Sequence, residues 1–179
     1  VLKMLQDMIY EDEIARTVAG YNENNYYNSL NNGEFAAMPY PQWYMIRFTE
    51  FMPDLKGKIV VRPLPAFNEE GTTLSNTGGG TGTAITQACE EIEIAKDFLE
   101  FAKLTKEANI SIWTRFGLDP FREDVYDEPE LNEPMEYFNN EPVAQTIRNL
   151  FPEIQPLYLT PQFPLSEDLL REEVLFQVM

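Results

Sequence analysis

The chain has 179 residues, 44% of them hydrophobic, and carries 30 acidic against 13 basic side chains for a formal net charge of −17. That composition suits one medium, packed domain and repels polyanions, which excludes nucleic acid as a partner. Histidine is absent and cysteine occurs once, at Cys89, so disulfides within the chain, multi-cysteine zinc sites and all Ser-His, Cys-His and His-ligated metal chemistry fall together, and no metal or cofactor is expected.

VLKMLQDMIYEDEI opens the chain as an amphipathic helix entered partway, with Leu2, Leu5 and Ile9 on one side, and helical spacing dominates the first 20 residues. No signal-peptide pattern precedes it, and the expectation is a fragment that lacks a leading portion. No apolar run approaches the roughly 20 residues of a membrane span. YNENNYYNSLNNGEF is a polar connection with a short helix over 26–30. FAAM at 35–38 predicts a brief buried strand, followed by a proline-bounded turn and a helix over 41–51. Asp54 to Gly57 predict a turn, and the β-branched KIVVRPLP a strand over 58–62 that its prolines end, since proline cannot donate to a ladder.

Residues 72–86 are expected to supply one or two short strands around a glycine cluster. A strong helix follows in CEEIEIAKDFLEFAKLT, where Ile94, Ala95, Phe98, Leu99, Phe101 and Ala102 share one broad face and acidic residues fill the other. A second helix covers 106–116 and is ended by Gly117, with Pro120 in the loop beyond. The acidic, proline-containing stretch 124–134 reads as an exposed loop. Short helices at 134–139 and 142–151, an extended PLYLTPQFP and a last helix from about Ser166, with Ser166 as its N-cap, complete the chain. Cys89 reads as a small buried apolar residue.

The glycine-rich SNTGGGTGTAIT, residues 75–86, asks for a ligand that meets bare backbone. It fails the Walker pattern, because no lysine lies between Lys58 and Lys96, and it fails GxGxxG because no third glycine falls at the right place. GGGTGT is similar to the signature loop of the tubulin-like GTPases, but Ala84 stands where that family has another glycine. Nucleotide binding is therefore an outlying reading.

Taken in order, NNGEFAAMPYPQWY, PDLKGKIVVRPLPAF, SNTGGGTGTAIT and AKDFLEFAKLTKEANISIWTRFGLDPFREDVY resemble the C-terminal lobe of the carbohydrate-type extracellular solute-binding proteins of ABC importers, with the arabinose-type and other oligosaccharide binders the nearest group. The resemblance spans essentially the whole chain and departs from the family at Pro39 and Pro41, where glycine is commoner. It implies an α/β fold: one lobe, residues 1–179, of the type II periplasmic-binding kind, a short mixed sheet flanked by helices. It further implies a sugar or oligosaccharide ligand, the transmembrane permease subunits of an ABC importer as partner, and no catalysis. The partner lobe, signal peptide and lipid anchor would lie upstream, and the protein would be an extracellular or periplasmic lipoprotein at a bacterial cell surface.

The resemblance places Trp43, Tyr40, the backbone of Gly79 and Gly80, Thr81, Arg122 and Phe163 at the ligand cleft, with Asp119 in the same loop as Arg122. An indole packs against the C–H face of a sugar ring while hydroxyls bond around the edge. Each residue also has a plainer role. Trp43 would anchor the helix 41–51 in a core, the glycines would permit a bulge, Arg122 would pair with Glu123 or Asp124, and Trp113 fits core packing on its helical stripe. A competing reading is a carbohydrate-active hydrolase fragment with two carboxylates held roughly 5 to 10 Å apart. The acidic residues, however, crowd solvated helix faces and a proline-rich loop.

Overall fold

The computed structural model describes residues 2–18, 20, 22–65, 81–154 and 159–178. They fall into two compact units, residues 1–27 with 157–179 and residues 28–156. Helices α1 (Leu2–Tyr10) and α2 (Asn24–Asn31) come first, then a 3₁₀ turn at Gln42–Tyr44 that runs into α3 (Met45–Phe51). Helix α4 (Ile92–Leu99) opens into a π-helical turn at Glu100–Leu104, and α5 (Lys106–Phe116) follows. A string of 3₁₀ turns leads to α6 (Val143–Arg148). Helix α7 (Phe163–Leu169) continues through a π-helical stretch at Leu170–Leu175 into the short α8 (Phe176–Val178). Among the described residues no helix is long and apolar enough to cross a membrane.

The expected mixed sheet is not seen among the described residues, whose one β-type pairing is an isolated antiparallel bridge between Met135 and Glu141. Neither FAAM nor KIVVR pairs as a strand with any described residue, and residues 72–80 lie outside the described segments. The physical reason is that β-branched residues favour a pleated, half-buried surface rather than a strand as such, so they form one only where a neighbouring strand supplies it. Val60 accordingly remains exposed. The run is held by other means. Arg62 makes two bonds to Glu141, at 2.6 and 2.8 Å, and the Gly57 amide donates to the Tyr137 carbonyl at 2.8 Å. The Tyr137 hydroxyl donates to the Met52 carbonyl at 2.5 Å. Asn139 and Asn140, both in the left-handed region, turn the chain between Met135 and Glu141, a conformation asparagine tolerates better than most residues.

In the smaller unit α1 ends at Tyr10, short of the 20 residues that spacing suggested. Glu11, Asp12 and Glu13 would stack negative charge on the negative end of the helix dipole, and Glu13 instead takes a φ of 55°. Helix α7 starts at Phe163 with proline in its first turn, so Ser166 lies inside the helix, its hydroxyl donating to the Gln162 carbonyl, and is not the N-cap.

The larger unit is built on α5. Thr105 caps its start by accepting from the Ala108 amide, and Gly117 ends it at φ 62° with its amide bonded to the Trp113 carbonyl. Trp113 and Asn109, four residues apart, share the buried face. Around them the core collects Leu30, Tyr44, Met45, Phe48, Met52, Val125, Tyr126, Leu131, Phe138, Val143 and Ala144. Helix α4 carries its apolar stripe as the periodicity predicts, yet Ile94, Phe98 and Phe101 are exposed and no residue of the helix is buried. Cys89 is a half-buried free thiol.

Asn109 is fully buried and fully bonded. Its Nδ2 donates to the Lys103 and Thr105 carbonyls at 2.8 and 2.7 Å, and its Oδ1 accepts from the Phe121 and Arg122 amides at 2.6 and 3.1 Å. Asn109→Ala should therefore cost about 3 kcal/mol, because it leaves four part-buried backbone groups without their partner at once. Urea unfolding of the two chains measures the difference, and a loss below about 1 kcal/mol would show that water replaces the amide.

Candidate functional site

Pro41, with its φ fixed near −66°, leads into the 3₁₀ turn Gln42–Tyr44, and the turn runs directly into α3. Successive residues of so tight a turn point in different directions. Tyr44 goes into the core at 1% exposure, while Trp43 stays 45% exposed. The indole nevertheless rests on packed aromatics. Its ring lies 5.7 Å from that of Tyr44, which stacks on Tyr40 at 4.0 Å with an interplanar angle of 4° and meets Phe48 edge-on at 5.7 Å. Phe48 in turn meets Phe138 edge-on at 6.5 Å. Offset and edge-to-face contacts of this kind fix ring orientation as well as burying area. Trp43 is thus presented on a rigid aromatic base, and Tyr40 is half-buried with one ring face taken by Tyr44.

A polar tie fixes the turn from the other side. Gln42 donates its Nε2 hydrogen to the carbonyl of Gly117, 75 residues away, at the end of α5. A Cβ placed on Gly117 would sit 3.8 Å from Met45, so the helix end and the start of α3 are in van der Waals reach. Beyond Gly117 the chain runs back along α5 to the Asn109 amide, through exposed Asp119, buried Pro120 and Phe121, which is 76% exposed. Desolvation by its neighbours pushes the Asp119 carboxyl up to about 6, and a bond from the buried Tyr126 hydroxyl pulls it partly back. The Tyr126 hydroxyl is itself raised beyond its ordinary range, first by burial and then by the Asp119 charge.

Arg122 closes this loop. Its Nε and one terminal nitrogen donate to both oxygens of Asp124 at 2.8 and 2.6 Å, and the other reaches the Leu104 carbonyl at 3.0 Å. The pairing holds the Asp124 carboxyl below its usual range. Thr81 is exposed. Gly79 and Gly80 lie outside the described residues. At the neighbouring Gly82 a Cβ would meet nothing within 4 Å, so crowding does not require glycine there. Phe163 belongs to the smaller unit, where it is 37% exposed at the start of α7. Trp113 is buried in the core. The structure therefore brings Tyr40 and Trp43 together, and ties their turn to the loop that carries Asp119 and Arg122. The two depressions lined by Asn22–Asn25 and by Lys3, Gln6, Asp7, Tyr10 and Glu11 involve none of these residues. Among the described residues no group of three or more acidic or cysteine side chains could hold a metal ion.

Sequence reasoning passed over Gln42, Asn109 and Phe121. Asn109 did leave a trace, as a polar residue on the stripe of α5 that carries Trp113. Gln42 left none, because its partner is a backbone carbonyl distant in sequence.

A family model described as bacterial extracellular solute-binding protein matches residues 1–109. The arabinooligosaccharide-binding protein of Bacillus subtilis (strain 168) is 38% identical over 183 residues, which cover 99% of this chain and 42% of that protein. The arabinooligosaccharide-binding protein of Halalkalibacterium halodurans is 40% identical over 168 residues, covering 92% of this chain and 38% of that protein. The chain thus spans about two fifths of the length of these curated relatives. No solved structure matches it.

The raised Asp119 carboxyl sets a sign for pH dependence. An acid whose pKa is near 3.9 unfolded and about 6 folded holds its proton more tightly in the folded state, so its contribution is favourable below pH 4 and is lost as pH rises through 6. Asp119→Asn, which cannot ionise, should match the wild type in stability at pH 4. At pH 7 it should be the more stable by about 1 kcal/mol, water at the exposed carboxyl reducing what a sealed site would give. Urea midpoints at the two pH values test this, and a difference that does not change with pH would contradict it.

Proposed function

The chain belongs to the bacterial extracellular solute-binding protein family, and on that premise we propose that it is the C-terminal lobe of a two-lobe protein that captures an oligosaccharide outside the membrane and delivers it to an ABC importer. In this reading the lobe is of the α/β type II periplasmic-binding kind, a short mixed sheet flanked by helices. The partners are the permease subunits, and the location is the periplasm or the outer face of a bacterial cell, where an upstream lipid anchor would hold the protein at the membrane. Two lobes close over the ligand, the closed form is what the permease engages, and no bond is made or broken.

The single observation that carries the ligand class is Trp43. A large apolar ring left half in water, yet oriented by the Tyr40–Tyr44 stack beneath it, suits the apolar face of a sugar. The names of the two relatives favour arabino-oligosaccharides as the first ligands to try. Thr81, the Gly79–Gly80 backbone, Tyr40, Arg122 and Phe163 are the accompanying candidates. Of these Arg122 would have to exchange its bonds to Asp124 for a sugar hydroxyl, which makes it the weakest contributor.

In the full-length protein, calorimetric titration with arabino-oligosaccharides should give binding without turnover. Trp43→Ala should lower the affinity by about 1 to 3 kcal/mol through lost apolar contact, with thermal stability little changed. Unchanged affinity would remove Trp43 from the site, and product formation would favour the hydrolase. The 179-residue chain alone should bind the same sugars about a thousandfold more weakly, since one lobe leaves the other face of the ligand in water.

A further inference from the structure

Resting on the carbohydrate reading, we propose that Phe121 is a second apolar platform for the oligosaccharide, set apart from Trp43 along α5 and engaged only by ligands longer than one or two sugar rings. At 76% it is the most exposed aromatic residue among the described residues of the larger unit. The other strongly exposed phenylalanines there, Phe98 and Phe101, belong to the apolar stripe of α4 and its continuation, as a helix face built for packing would have them. Phe121 lies on no helix, and no periodicity accounts for it.

Its backbone, in contrast, is among the most constrained in the molecule. The Phe121 and Arg122 amides both bond to the buried Asn109 side chain, the preceding Pro120 is buried, and the following Arg122 reaches the Leu104 carbonyl. A mobile loop could fold such a ring against the nearest apolar surface. This one is held where the ring meets water. The combination of fixed backbone and hydrated aromatic is also the one found at Trp43, and rigid placement lowers the ordering cost of binding.

The separation follows from the helix. Gln42 ties the Trp43 turn to Gly117 at the end of α5, and Asn109 ties Phe121 eight residues earlier on the same helix. At 1.5 Å per residue the two anchor points are about 12 Å apart. The four residues from Gly117 to Phe121 span at most about 14 Å, so they cover that distance only along a nearly extended path, and it is the bonds to Asn109 that keep Phe121 away from Gly117. A monosaccharide on Trp43 does not bridge such a gap, whereas a chain of several rings does.

The test titrates the full-length protein, as wild type, Phe121→Ala, Phe121→Trp and Trp43→Ala, with arabinobiose and arabinotetraose. Phe121→Ala should weaken arabinotetraose binding about tenfold while leaving arabinobiose within about twofold. Phe121→Trp should retain the tetraose affinity, and the thermal midpoint should not move, since the ring is exposed. If Phe121→Ala leaves both ligands unchanged while Trp43→Ala weakens them, the Phe121 assignment fails and the carbohydrate reading stands. An equal loss for both ligands would also overturn it, by placing Phe121 and Trp43 at one subsite. If the wild type binds neither these sugars nor xylo- and gluco-oligosaccharides titrated as controls, the carbohydrate reading fails and this inference with it.

Discussion

Four hydrogen bonds meet at the side chain of Asn109, two given to carbonyls at the start of α5 and two taken from amides of the loop that returns along it. A buried amide with all these partners satisfied is worth keeping, whereas the same amide with one partner missing would be a liability, because an unpaired polar group in a core costs more than a formed bond gains. That asymmetry makes the arrangement close to all-or-none. Helix α5, the taut loop 117–122 and the Arg122 contact to Leu104 form together, and with them the surface that carries Asp119 and Phe121.

The Trp43 turn is attached to this assembly at one polar point and one apolar one. Gln42 reaches the Gly117 carbonyl, and the first residue of α3, Met45, packs near the same glycine. The left-handed φ of Gly117 is what makes the tie possible. A helix that ended in an ordinary right-handed residue would carry its last carbonyls onward along the axis, while the αL residue turns the chain back. The Tyr40–Tyr44–Phe48–Phe138 ring cluster then orients the indole from beneath. Neither contribution is large by itself, but they act on different atoms of one three-residue turn and leave it little freedom.

How much of this was legible in the sequence depends on the range of the interaction concerned. Helix α5 was read with both its bounds, and its C-terminal end is local chemistry written in one residue, Gly117, while the Thr105 cap at its start was not read. The stripe of α4 was likewise legible, but not that Ile94, Phe98 and Phe101 would remain exposed, since periodicity tells which residues share a face and not what covers it. The strands expected at 35–38 and 58–62 are not seen among the described residues for a related reason, as pairing is a property of two segments and only one was being read. For the site, the aromatic residues of PYPQWY stood out by type. Gln42, Asn109 and Phe121 did not, since what distinguishes them is a partner 75, or 12 and 13, positions away.

Charge and recognition are separate matters in this chain. A net charge of −17 sets up a field that repels anions, yet a neutral sugar has no net charge for it to act on, so the field neither steers nor opposes such a ligand. Recognition then falls to short-range terms, namely ring contact and hydrogen bonds whose donors are already in place. The guanidinium of Arg122, the one cation of the candidate site, is bonded to Asp124 and to a carbonyl, and so serves the loop before it serves any ligand. If the proposed site is right, it would depend on shape and on the rigidity of Trp43 and Phe121. On the proposed reading, the buried amide and the glutamine tie would then bear on binding as directly as the rings they hold in place.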